Sequence, residues 1–372
     1  MIYFDELRSD GFWKDAGWYF ADGTEAEFPA TADIGGCVIF KTSGSTGAAK
    51  SIVLEKRALL VSARAVNEWL EVDGRSVWGL ALPAVHVGGF GVIARSYVAG
   101  CGFASFSGKW NVGAFAEWIT QVGVTHTSLV PTQVHDLVKS AIPAPSCITA
   151  IVVGGGRLEE KLGTAARELG WPVLASYGMT EAGSQIATQR LSALGIPFDQ
   201  GSLELLPIWE ARVGTEGLLS IAGDALFAGM IRMHGTQAGF SPRPPGAFLT
   251  KDRVRLDERV LIPEGRADSM VKVMGELVDI EALERKFLEG AAGKIQPEAF
   301  AIVPLPDERR GNVLVAAFEG RLGPAMDAYR QYQESAGGLA RFDRYVELKE
   351  FPRTSLGKLR RADLAERVSI AP

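Results

Sequence analysis

The sequence predicts an α/β protein. A large layered N-terminal domain carries a small β-rich part and is followed by a small α+β C-terminal domain. Three observations support this. Short apolar runs alternate with helix-period segments through the first half. From about 201 to 261 the pattern changes to short strands separated by Gly and Pro, as in "GLLSIAGDALFAG". A length of 372 residues exceeds what one small core organises.

Taken in order, "GCVIF" reads as a strand, followed by a helix from Lys56 to Leu70, the strand "VWGLAL" and a helix after Gly91. Then come "HTSLV", a helix after Pro131, "ITAIVV", a helix from Leu158 to Leu169, and "VLASY". Strands that alternate with helices in this way form a largely parallel sheet with helices packed on it. The charged, Gly-marked "PEGRADSMVKVMGELVD" precedes a helix near Ile280 to Leu288. "EAFAIVPL", "NVLVAAFEG", a helix near Pro324 to Glu334 and "RYVELKEF" complete the α+β unit. The boundary falls at Arg266 to Asp268, which gives domains 1–266 (β-rich part 201–261) and 267–372.

Composition narrows the function. With 47% apolar and 22% charged residues the chain is ordinary for a soluble protein, and a net charge of −5 offers no basic footprint for nucleic acid. Cys37, Cys101 and Cys147 are far apart with no C-x-x-C spacing, as expected of reduced thiols in a cytoplasmic protein. "MIYFDELRSDGFW" carries acids where a signal peptide needs a basic start, so export is not expected. Between Arg75 and Arg95 lie nineteen residues without Asp, Glu, Lys or Arg, "SVWGLALPAVHVGGFGVIA". Pro83, His86, Gly88, Gly89 and Gly91 break this stretch, so a strand, a turn and the start of a helix are expected, with no membrane insertion.

Several loops carry chemistry. "KTSGSTGAAKS" follows an apolar strand; its glycines let backbone N–H groups converge, its hydroxyls add donors, and Lys50 supplies countercharge for phosphate. A Walker A loop is ruled out because Gly44, Gly47 and Lys50 have the wrong spacing. Gly89, Gly91 and Ala94 fit a dinucleotide fingerprint in letters, yet Lys109 to Asn111 stand where its ribose-binding acid belongs. Further on are "GGG" at Gly154 to Gly156, "SYGMTEAG", "GAFLTKDRV", "GRADSMVKVMGELVDIEALE" and "FPRTSLGKLRR".

In that order these strings resemble the motifs of the adenylate-forming superfamily, the acyl-CoA synthetases and their relatives. The resemblance spans about Thr42 to Arg361. It implies a phosphate loop made of Thr42, Ser43, Gly44, Ser45, Thr46, Gly47 and Lys50, with Ala49 in place of the usual Pro. It further implies an adenine-side loop at Gly154, Gly155 and Gly156. From "SYGMTEAG" come Tyr177, Gly178, a phosphate-bonding Thr180 and a Mg²⁺-binding Glu181. Asp252 would take the ribose hydroxyls, although Lys251 replaces the motif's Gly, and Arg266 would stand near the ribose. Asp268 would be the hinge of a mobile C-terminal lid, with Ser269 where a second acid often sits. Gly275 would let the pantetheine chain pass, and Lys358 would be the catalytic lysine.

The implied reaction forms an acyl-adenylate from ATP and a carboxylic acid, with Mg²⁺, and then transfers the acyl group to CoA. "LPAVHVGGFGVIARSYVAG", "TSLVPTQVHDL" and "SYGMTEAGSQIAT" resemble in particular the o-succinylbenzoate–CoA ligases of menaquinone biosynthesis. This implies His86 near the acyl site, with a core histidine bonded to a carbonyl as the competing reading, and Ser184, Gln185 and Thr188 along the acid pocket. His126, His135 and His234 match no motif and are expected to be structural. Relatives carry roughly a hundred further residues before the phosphate loop, so a reduced N-terminal part is expected. Homo-oligomerisation is left open. The alternatives are another aryl- or acyl-CoA ligase, an amino-acid activator, a non-catalytic nucleotide-binding relative and a dinucleotide-dependent oxidoreductase.

Overall fold

Runs of apolar residues too short for helices become strands buried on both faces, the pattern that parallel sheets require. Gly102–Ser105, Val77–Leu80, His126–Leu129, Ala150–Val153 and Val173–Met179 lie side by side in that order, every neighbour parallel. The computed structural model describes residues 4–24, 34–42, 50–234, 237–291, 293–354, 357 and 359–371. Every residue of Ala150–Val153 and His126–Leu129 is buried. Helices Lys56–Trp69, Val87–Ala99, Val112–Val122, Pro131–Ser140 and Glu160–Glu168 are interleaved with these strands along the chain.

The helix expected after Gly91 begins earlier, at Val87, and so contains Gly88, Gly89 and Gly91. A Cβ at Gly89 would stand 2.3 Å from the carbonyl oxygen of Pro83. Gly89 therefore permits close approach to the preceding loop, and these glycines do not delay the helix. The helix is tied to its neighbour by Asn67, whose Nδ2 donates to the Arg95 carbonyl at 2.9 Å while its Oδ1 accepts from Trp78 Nε1 at 3.1 Å.

The strands between 201 and 261 do not stand apart. Beyond Val173–Met179 the sheet continues through Ser184–Thr188, Leu203–Leu205, Val260–Arg266, Phe248–Asp257, Leu218–Ala222 and Glu210–Val213, eleven strands among the described residues. Gly229–His234 and Gln237–Pro242 instead extend a five-stranded sheet with Trp18–Phe20, Cys37–Thr42 and Lys50–Glu55. The N-terminal residues are held by Lys56, which is 3% exposed and donates to the carbonyls of Phe12 (2.8 Å) and Asp15 (3.0 Å).

The chain divides into two units. One takes in the described residues up to Pro263 apart from Lys251–Arg253, and the other takes in Lys251–Arg253 and those from Glu264 onward. In the second unit, strands Phe300–Asp307, Gly311–Glu319 and Arg344–Leu348 form one sheet. Alternation along them sends Phe300, Ile302, Leu314, Ala316 and Phe318 to a face with Phe287 of helix Ile280–Ala291 and Tyr332 of helix Met326–Ser335. Ala301, Val303, Val315 and Ala317 face Leu364 and Val368 of helix Arg361–Ile370.

His126 occupies the core of the first unit, as its lack of a motif suggests. Its Nδ1 meets Thr125 Oγ1 at 2.8 Å and its Nε2 meets the Leu70 carbonyl at 3.3 Å. Burial holds its pKa below the usual 6.5. Below that pH the unfolded chain binds a proton that the folded chain resists, so stability falls as pH drops from 6.5 toward the folded value. We expect the unfolding free energy to decline there by at most about 1.4 kcal/mol per pH unit from this group, and the slope to flatten in His126→Asn. Denaturant melts at several pH values measure this, and an unchanged slope in the variant refutes it.

Candidate active site

In an open α/β sheet the loops at the carboxyl ends of parallel strands converge on one edge, where ligands bind. Here that edge carries His86 after Val77–Leu80, Val130 and Pro131 after His126–Leu129, Gly154 to Gly156 after Ala150–Val153, and Tyr177 to Glu181 at the end of Val173–Met179. Of the sequence-predicted residues, His86, Gly154 to Gly156 and Tyr177 to Glu181 are thus brought to one margin of one sheet. His86 is half-buried at the N-cap of helix Val87–Ala99, and burial lowers its pKa, which favours a neutral imidazole near pH 7. Gly155 has φ +76, as a tight strand-to-helix turn requires, and Gly154 and Gly156 leave open backbone beside it.

The turn from Tyr177 to Gln185 is the most constrained part. A side chain at Gly178 would place its Cβ 1.7 Å from the Ser184 carbonyl oxygen, so only Gly fits, and the pairing of the two strands shifts register at Tyr177/Gly178. Gly183 has φ +63, and Ser184 has φ +118, a region that L side chains rarely adopt. Such strain persists only where surrounding structure over-determines it. Ser62 Oγ donates to the Gly183 carbonyl at 3.1 Å, Phe227 N to the Glu181 carbonyl at 2.8 Å, and Trp209 Nε1 to the Gln185 carbonyl at 3.0 Å. Thr180 and Glu181 are presented, half-buried, on this fixed turn. Among the described residues no group of three His, Cys, Asp or Glu could cage a metal. A lone carboxylate beside a hydroxyl suits Mg²⁺ that takes its remaining ligands from phosphate and water.

Ser184, Gln185 and Thr188 share the next strand. Gln185 is 3% exposed; its Nε2 donates to Thr188 Oγ1 at 2.7 Å and to Ser176 Oγ at 3.2 Å, while its Oε1 has no partner. Beside them stands a residue the sequence reading missed. Arg95 is 2% exposed, with Nη1 donating to Ser128 Oγ at 3.1 Å and Nη2 to Ser184 Oγ at 3.4 Å. It forms no ion pair among the described residues, its Nε has no partner, and burial pulls its pKa down to about 9. Its hydrogen-bond partners are hydroxyls alone, and its guanidinium lies over the Trp78 ring, 5.2 Å from the centroid. A signal existed in the sequence, since Arg95 ends the long uncharged stretch and lies one helical turn beyond Gly91. A Cβ at Gly91 would stand 3.1 Å from Arg95 Nη2.

Thr42 and Lys50 face each other across the hairpin of Cys37–Thr42 and Lys50–Glu55, with Thr42 Oγ1 donating to the Lys50 carbonyl at 3.2 Å. The second strand of that hairpin lies against the Thr180–Ala182 turn. Ser43, Gly44, Ser45, Thr46, Gly47 and Ala49 lie outside the described residues, as does Lys358 and the side chain of Asp268. In the second unit Arg266 Nη1 donates to Asp252 Oδ1 at 2.6 Å, so the two expected ribose residues form an ion pair. Gly275 has φ +87 and, with Met274 at +53, makes the two-residue turn between strands Met270–Val273 and Glu276–Asp279. The turn by itself accounts for a glycine there.

The chain is similar to known proteins over most of its length. The AMP-binding enzyme family model matches residues 6–230. A probable 2-succinylbenzoate–CoA ligase of Mycobacterium tuberculosis is 29% identical over 353 residues, covering 89% of this chain and 84% of that one. The 2-succinylbenzoate–CoA ligase of Escherichia coli is 31% identical over 295 residues, 76% of this chain and 58% of that one. Among solved structures, an Arg→Lys variant of E. coli MenE with bound OSB-AMS superposes with a TM-score of 0.71 at 25% identity, over 93% of this chain and 72% of that one. Bacillus subtilis MenE in complex with ATP and magnesium gives 0.72 at 22% identity over 92% and 72%, a likeness of fold. With more than half its length matched by the family model, the chain belongs to the AMP-binding enzyme family.

Proposed function

We propose that this protein is an ATP-dependent, AMP-forming acid–CoA ligase whose acid is o-succinylbenzoate, as in menaquinone biosynthesis. The observation that carries the substrate is Arg95. A buried guanidinium with two hydroxyl hydrogen bonds, a Trp78 ring beneath it and no carboxylate partner gains when an anion arrives. Activation consumes one carboxylate at phosphorus, so a dicarboxylic acid still has a second to offer this cation. Gln185, Thr188 and Ser176 add polar partners for the keto oxygen. The relatives named as 2-succinylbenzoate–CoA ligases support the same reading.

In this mechanism the reacting carboxylate attacks the α-phosphorus of ATP and pyrophosphate leaves; a CoA thiolate then displaces AMP to give the thioester. Thr180 bonds an α-phosphate oxygen, and Lys358 neutralises charge that grows at the α-phosphate. Glu181 holds Mg²⁺, which when bound offsets phosphate charge. Thr42 to Gly47 and Lys50 hold the β- and γ-phosphates, Gly154 to Gly156, Tyr177 and Gly178 receive the adenine, and Asp252 with Arg266 takes the ribose. His86 lines the acyl site, Asp268 is the hinge of a C-terminal domain that begins at 267, and Gly275 admits the pantetheine chain. The half-buried or buried free thiols of Cys37, Cys101 and Cys147 suit a cytoplasmic enzyme.

Incubation with ATP, Mg²⁺, CoA and a panel of o-succinylbenzoate, benzoate, a fatty acid and an amino acid, followed by product mass, tests this. We expect o-succinylbenzoyl-CoA as the main product. A product from another acid but none from o-succinylbenzoate would overturn the substrate, and absence of pyrophosphate release with every acid would overturn the ligase.

A further inference from the structure

We propose that Glu319 is a positioning residue for adenylation, acting through Arg353 on the loop that carries Lys358; this rests on the role given to Lys358 above. Glu319 ends the strand Gly311–Glu319, which is paired on both sides in its sheet and so offers a rigid mount. Both of its carboxylate oxygens serve the same loop. Oε1 accepts from the Phe351 N–H at 2.8 Å and Oε2 from Arg353 Nη2 at 2.6 Å.

Arg353 distributes that anchorage. Its Nη2 also donates to the Glu298 carbonyl at 2.6 Å, and its Nη1 donates to the Gly357 carbonyl at 3.3 Å. The Arg353 backbone bridges antiparallel to Leu359, and Arg360 N donates to the Pro352 carbonyl at 2.8 Å. Gly357, at φ +77, donates its N–H to the Thr354 carbonyl at 2.9 Å. The described residues 351–354 are thus tied back to Gly357, Leu359 and Arg360, and the residues on either side of position 358 are each joined to Arg353. One carboxylate on the neighbouring strand fixes the guanidinium of Arg353.

The magnitudes decide which effect this pair produces. The side chains of Arg353 and Glu319 are 24% and 27% exposed, and ion pairs open to solvent add little to stability. Catalysis is far more sensitive, since a displacement of about 1 Å at a reacting group can lower a rate about 100-fold. Charge-assisted bonds with defined direction set position more than stability. The pair therefore acts on where residue 358 is delivered, with little effect on whether the domain folds.

The test uses the full chain in four forms: wild type, Glu319→Gln, Lys358→Ala and the double variant. Gln keeps an acceptor for Phe351 N–H and removes the charge that holds Arg353. Single-turnover adenylation and thioester formation from supplied acyl-adenylate are measured separately, with a thermal melt of each. We expect Glu319→Gln to slow adenylation about tenfold or more, to leave KM for ATP and the thioester half-reaction within about twofold, and to add no further loss in the Lys358→Ala background. An unchanged adenylation rate, equal losses in both half-reactions, or a full additional loss in the double variant would overturn the proposal. Should Lys358→Ala adenylate at the wild-type rate, the reading of Lys358 fails and the proposal with it. If Glu319→Gln does not fold, Arg353→Lys, which keeps the charge and loses the fork, is read the same way; failure of both to fold makes the pair structural and rejects positioning.

Discussion

Lys358→Ala is expected to slow pyrophosphate release about 10²–10³-fold while thioester formation from supplied acyl-adenylate stays within a few-fold of wild type. In the first half-reaction a carboxylate anion approaches a phosphate that is already anionic, and negative charge grows on the phosphate oxygens as the new bond forms. A mobile ammonium that bridges the two lowers that barrier and contributes little to ground-state binding, so the loss falls on kcat more than on KM. In the second half-reaction the attacking thiolate meets a mixed anhydride whose leaving group is AMP, and that role for the lysine is gone. Rapid-quench assays of each half-reaction measure the split. Parallel losses in both would remove Lys358 from the chemistry of the first step.

Arg95→Met should lower kcat/KM for o-succinylbenzoate by about 10²–10³, the scale of 3–5 kcal/mol typical when one partner of a buried charge pair is removed. The same variant should use benzoate, which has no second carboxylate, as well as wild type does. Stability is expected to hold or rise, because the replaced guanidinium is 2% exposed and bonded only to Ser128 and Ser184 hydroxyls. Opposite movements of activity and melting temperature distinguish a binding cation from a structural one. A fall in both, or an equal loss on benzoate, would assign Arg95 to the core.

Much of the first unit was legible because buried parallel strands write themselves as short apolar runs; "ITAIVV" and "HTSLV" sit where they were expected. Two features were misleading for identifiable reasons. Glycine usually signals a break, yet Gly89 lies inside a helix because its missing side chain lets the Pro83 carbonyl come close. The strands after residue 201 are visible as strands, but their partners are chosen by contacts far away in sequence, so their incorporation into two existing sheets was not. At the site, motif letters located Thr180, Glu181, Asp252 and Arg266 on the chain. They did not convey that Asp252 and Arg266 would meet as an ion pair. Arg95 escaped notice because a lone arginine after an uncharged stretch reads as a helix end reaching solvent, and only packing reveals that it turns inward.

The bonds that hold the Thr180–Gln185 turn have a consequence for how the enzyme comes into being. They reach it from Ser62, far upstream, and from Trp209 and Phe227, downstream. A chain emerging from the ribosome can pair its parallel strands as soon as Met179 is clear, but the turn around the strained Ser184 still lacks the bonds from Trp209 and Phe227. The edge that would grip nucleotide thus matures only after the antiparallel strands have been synthesised, and a nascent chain halted before Phe227 carries the motif without the geometry that gives it meaning.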